Sequence, residues 1–72
     1  MSNLYKAVRM NQPALVEYLI EIGERDNLAV YCAACQGYVE CLKLCLDVGM
    51  TNSDAINYAT KECKEILKQY HQ

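Results

Sequence analysis

The sequence predicts an all-α protein made of three related helix-turn-helix units packed side by side, a short α-solenoid. Three observations lead there. A 26-residue repeat runs down the chain, and apolar residues recur at helical spacing within each copy. Nowhere do β-branched and aromatic residues alternate with polar ones over several positions, as a strand would need. At 72 residues and 8.2 kDa there is room for one core, so a single domain spans 1–72. Hydrophobic residues make up 53% of the chain and charged residues 22%, which is enough apolar surface to fold.

The first unit, roughly 3–23, contains LYKAVRMNQPALVEYLIEIG from Leu4 to Gly23. The second, roughly 27–49, contains VYCAACQGYVECLKLCLDVG from Val30 to Gly49. They align without a gap: Leu4 on Val30, Ala7 on Ala33, Leu19 on Cys45, Gly23 on Gly49. Asn11 and Gly37 share a register, and both residue types tolerate the left-handed conformation that ends a helix. Pro13 suits the first turn of the helix that follows, where its missing N–H is not needed. The second helices carry Leu15, Val16, Leu19, Ile20 and Cys41, Leu42, Cys45, Leu46, a one-sided apolar stripe that Gly23 and Gly49 terminate. Ala7, Ala33 and Ala59 are expected where neighbouring helices approach closely.

The third unit, roughly 53–72, is less regular. A further 26 residues place Ile56 to Thr60 beneath Val30 to Ala34. A one-residue deletion then brings Ile66, Leu67 and Tyr70 beneath Cys41, Leu42 and Cys45. The segment SDAINYATKECKEILKQY reads either as a hairpin or as a single helix capped by Ser53, and in both cases as a terminal cap.

The second unit resembles the ankyrin-repeat family, whose usual register is LHxAAxxGHxxIVxxLLxxG. Ala33-Ala34, Gly37 and Gly49 match it, Cys41-Leu42 stand where the aliphatic pair goes, and Tyr31 and Tyr38 replace the two usual histidines. The family's repeat is about 33 residues with a projecting β-hairpin arm. Here Gly23 reaches Ala33 through Glu24 to Cys32 alone, so the arm and its TP dipeptide are absent from the pattern. The resemblance implies a noncatalytic protein-interaction module that binds through the outward positions of the first helices. In this chain those positions form three columns: Lys6, Cys32 and Tyr58; Arg9, Cys35 and Lys61; Met10, Gln36 and Glu62.

Charge and cysteine usage bound the alternatives. A net charge of −2 offers no basic stripe, which argues against nucleic acid or an anionic membrane as partner. No apolar run reaches about 18 residues, and Met1-Ser2-Asn3 opens into a mixed segment. An intracellular protein, cytoplasmic or nuclear, is expected, and the odd count of five cysteines fits a reducing compartment. Cys32 and Cys35 form C-A-A-C, and with Cys41 and Cys45 they supply the alternative reading, a small thiol or zinc protein. The single histidine, His71, is next to last, and Cys41 and Cys45 hold the core positions of Leu15 and Leu19, so small buried hydrophobes are the expected role. Neither a metal nor a cofactor is expected. With no catalytic triad and no glycine-rich phosphate loop, neither is an enzyme. The second helix of the first unit carries Leu15, Val16, Tyr18, Leu19, Ile20 and Ile22, more than one stripe needs. That excess predicts a patch covered by a second copy or by a partner.

Overall fold

The computed structural model describes residues 1–70 and arranges them in six helices: α1 (Asn3–Arg9), α2 (Pro13–Glu21), α3 (Asn27–Gln36), α4 (Val39–Asp47), α5 (Ala55–Tyr58) and α6 (Lys61–Tyr70). Among the described residues there is no strand, and no helix is long and apolar enough to cross a membrane. His71 lies outside them.

The helix ends repeat as the residues do. Asn11 (φ 53°) and Gly37 (φ 78°) both turn left-handed after the first helix of their unit. The next amide then reaches back to the last turn, Gln12 N–H to the Ala7 carbonyl at 3.1 Å and Tyr38 N–H to the Ala33 carbonyl at 2.9 Å. Gly23 (φ 100°) and Gly49 (φ 86°) do the same after the second helix, with Glu24 N–H on Leu19 and Met50 N–H on Cys45. Each such bond satisfies a carbonyl that the helix itself leaves open.

Short loops then carry the chain back beside the helix where the unit began. Ser2 caps α1 by accepting the Tyr5 N–H, Asp26 caps α3 by accepting the Leu28 N–H, and the Ser2 hydroxyl donates to the Asp26 carboxylate. Glu24 accepts the Leu4 N–H at 3.1 Å. One repeat later Thr51 N–H donates to the Asn27 side chain and the Asn52 amide to the Asn27 carbonyl. No projecting hairpin intervenes.

These returns produce two rows. Helices α1, α3 and α5 lie side by side, α2, α4 and α6 do likewise, and each helix also packs on its partner from the same unit. The core lies between the rows. From α3 it takes Ala29, Val30, Cys32, Ala33 and Ala34, and from α4 Cys41, Leu42, Cys45 and Leu46.

Of the two readings that the sequence leaves open for the third unit, a hairpin and a single helix, the chain takes the two-helix form. It breaks at Ala59, whose backbone is extended (φ −71°, ψ 150°), and Thr60 caps α6 by accepting the Cys63 and Lys64 amides on its hydroxyl and carbonyl. Ser53 lies in the turn before α5 and caps no long helix. The cause is visible at Thr60, whose own N–H donates to the open Ala34 carbonyl at 3.1 Å and so cannot join a helix running through from α5. The register shifts accordingly. Cys63, Ile66 and Leu67 are the buried residues of α6, with the spacing of Leu42, Cys45 and Leu46, and Tyr70 is exposed rather than standing in for Cys45. Ala7 and Ala33 are buried within their helices as expected, whereas Ala59 is outside any helix and half-buried.

Two stability predictions follow from this packing. Ala33→Leu overpacks a fully buried site and is expected to cost about 1–3 kcal/mol in denaturant unfolding, against a smaller loss for Ala59→Leu. Gly23→Ala and Gly37→Ala each force a side chain into the left-handed region, at roughly 1–2 kcal/mol. A Cβ at Gly23 meets open space, but one at Gly37 lies 3.3 Å from Thr60 Cγ2. Gly37→Ala should therefore be the more damaging, and Thr60→Ser, which deletes that methyl, should recover the difference.

Candidate partner-binding face

The first-helix row is covered on its inner side by the second row and open on its outer side. On α3 the outer side is Leu28, Tyr31 and Cys35, spaced so that all three share one face; Leu28 is exposed and the other two are half-buried. One repeat earlier the same positions are Ser2, Tyr5 and Arg9. From α5, Tyr58 leans onto Tyr31 with ring centroids 5.7 Å apart and planes inclined by 57°, the tilted geometry aromatic pairs favour. Burial, the adjacent Cys35 thiol, Tyr58 and Asp54 together push the Tyr31 phenol up, so it stays a neutral donor.

The expected columns are only partly assembled. Arg9 is exposed, Cys35 is half-buried on the outer face, and Tyr58 is exposed beside Tyr31. Cys32 is not outward: it is 7% exposed. Burial first, then Cys35, pushes its thiol pKa up, while Arg9 and Tyr5 of α1 oppose the rise. The register predicted exposure from Lys6, which is exposed because α1 has no neighbour on that flank, whereas α3 has α1 there. Met10 and Gln36 are exposed at the ends of α1 and α3. Lys61 and Glu62 are exposed but open the second helix of their unit, because α5 stops one turn early. The outer residues that the columns missed are Tyr5, Leu28 and Tyr31. Tyr5 and Tyr31 stand one repeat apart, so a column drawn one residue before Lys6 and Cys32 finds them, and Leu28 lies one turn before Tyr31 on the same face.

The thiols are all free. Cys41, Cys45 and Cys63 are fully buried, and among the described residues no three His, Cys, Asp or Glu side chains converge as a metal site would require. Burial first, then Glu40 and Cys32, pushes the Cys41 thiol from 9.0 up to about 11. Burial, then Cys41 and Asp26, pushes Cys45 up to about 12. Neutral thiols at physiological pH are poor nucleophiles and act here as apolar packing.

The chain matches no family model and no solved structure.

The buried thiols set an alkaline limit. Above pH 9 the unfolded chain releases thiol protons that the folded chain holds, so unfolding binds fewer protons and stability falls with rising pH. The loss should begin near pH 9.0 and continue through about 11 and 12. Cys41→Val with Cys45→Val should flatten that slope in unfolding experiments run as a pH series.

Proposed function

We propose that this chain is a noncatalytic protein-interaction module: a short α-solenoid of ankyrin-like units that binds a protein partner through the outer face of its first helices. The observation that carries the reading is the tyrosine strip, Tyr5 on α1, Tyr31 on α3 and Tyr58 on α5, with exposed Leu28 and Arg9 beside it. Tyrosine and arginine dominate interface hot spots because each offers a large rigid contact area and a directional donor. Arg9, Cys35 and Tyr58 keep the role that the sequence columns assign them, joined by Tyr5, Leu28 and Tyr31. Lys6, Met10, Gln36, Lys61 and Glu62 are exposed around the strip, and Cys32 is buried. Two further features agree with a binding role. Among the described residues the buried side chains form an apolar core without a buried charge, and the free thiols suit a reducing, intracellular setting.

The test is a photo-crosslinker at Tyr58 used to capture the partner from native extract, followed by affinity measurements on the captured protein. Arg9→Glu and Tyr31→Ala should each weaken binding at least about tenfold, with helicity unchanged. Full affinity in both variants would sink the reading.

A further inference from the structure

The five thiols of this chain are not equally placed. Cys32, Cys41, Cys45 and Cys63 are buried, whereas Cys35 is half-buried on the outer side of α3. A solute in water therefore reaches Cys35 first. Three residues before it stands Cys32, and residues at that spacing share one side of a helix, with Cα atoms about 5 Å apart at the helical rise and radius. That separation lies inside the range, roughly 4.4–6.8 Å, across which a disulfide closes. Helical Cα–Cβ bonds tilt toward the N-terminus, which carries the Cys35 side chain toward Cys32. The two thiols also feel each other, since Cys35 adds to the rise that burial imposes on the Cys32 thiol, and Arg9 of α1 opposes it. A guanidinium so placed favours thiolate at the pair.

We propose that Cys32 and Cys35 form a reversible dithiol that a hydroperoxide converts to a disulfide, with Cys35 as the attacking thiol and Cys32 as the resolving one. The Cys35 thiolate attacks the terminal oxygen of the hydroperoxide, the O–O bond breaks, and the departing alkoxide takes up a proton to become the alcohol. Cys35 is then a sulfenic acid. The Cys32 sulfur attacks the Cys35 sulfur, the S–O bond breaks, and hydroxide leaves as water with the proton that Cys32 gives up. Two thiols have lost two electrons, and one O–O bond has been reduced. Two equivalents of a small-molecule thiol reverse the change through a mixed disulfide, and are themselves oxidised to a disulfide.

Position disfavours the other pairings. Cys63 lies against the Ala33 carbonyl, and Ala33 is about 200° round the helix from Cys35, nearly the opposite side of α3. Cys41 and Cys45 belong to the core side of α4. The sulfenic acid at Cys35 thus meets Cys32 before any other thiol. This chemistry does not depend on what the tyrosine strip binds.

The test treats the whole reduced chain with hydrogen peroxide at neutral pH, alkylates it under denaturing conditions and reads the products by mass spectrometry. Cleavage after Arg25 and Glu40 isolates residues 26–40, which hold Cys32 and Cys35 and no other cysteine. That peptide is expected to lose two hydrogens and to resist alkylation, while Cys41, Cys45 and Cys63 are alkylated in full. A small thiol should restore it. Cys35→Ser should slow thiol loss at least about tenfold, because the thiols that remain are buried. Cys32→Ala should instead leave a sulfenic acid at Cys35 that a cyclic 1,3-diketone traps. The map of the parent chain needs no variant to fold, and a 26–40 peptide that stays unmodified would overturn the proposal. So would a bond that includes Cys41, Cys45 or Cys63, a Cys35→Ser chain oxidised as fast as the parent, or a folded Cys32→Ala chain that traps no diketone.

Discussion

The closeness with which neighbouring helices approach α3 is the constraint on which the rest of the structure rests. This helix touches α1, α4, α5 and α6. A helix so surrounded cannot keep long side chains on its inner faces, and its buried residues are Ala29, Val30, Cys32, Ala33 and Ala34. Small side chains let backbones meet directly. The Thr60 amide reaches the Ala34 carbonyl, so the end of α3 receives from the third unit a partner that its own unit does not supply, and the Cys63 thiol lies 3.9 Å from the Ala33 carbonyl that Tyr38 already serves. The break before α6 is thus tied to the same packing that shapes α3.

Cysteine is well suited to this arrangement. It is little larger than alanine, packs as a hydrophobe, and its weak donor can lie against a carbonyl or an amide oxygen without requiring water. Cys63 beside Ala33 and Cys41 beside Asn11 are both of this kind. A cluster that looks like a reagent in the linear sequence is, in three dimensions, mostly mortar between helices. The outer face of the first-helix row is built instead from tyrosines, Tyr5 and Tyr31 half-buried and Tyr58 exposed.

Much of the architecture was legible in the sequence, because what repeats in the residues also repeats in the backbone. Asn11 and Gly37, then Gly23 and Gly49, were placed by register and all four turn left-handed. Register carried less information about exposure. Lys6 and Cys32 are equivalent by position yet opposite in surroundings, since one lies at the end of a row and the other inside it, and a single-residue comparison contains no neighbour. The third unit, which the sequence leaves open between a hairpin and a single helix, is decided for a related reason. Ser53 and the helix-forming residues after it offer a plausible continuous helix locally, and only the tertiary bond from Thr60 to Ala34 selects the break. The candidate face is half legible: Arg9, Cys35 and Tyr58 fall in the expected columns, Tyr5 and Tyr31 stand one residue before the first of them, and Leu28 lies a turn earlier, outside all three.

The hydrogen bonds that join one unit to the next span short stretches of chain: 20 residues from Leu4 to Glu24, 24 from Ser2 to Asp26, 25 from Asn27 to Asn52 and 30 from Ala33 to Cys63. Closing a loop of that length carries nearly the same entropic cost wherever it is done, because the cost grows only with the logarithm of loop length. No distant encounter has to occur before the first reward is collected. Assembly can begin at either helix pair and zip outward, with each finished unit presenting a ready wall to the next, which is the topology of a fast folder.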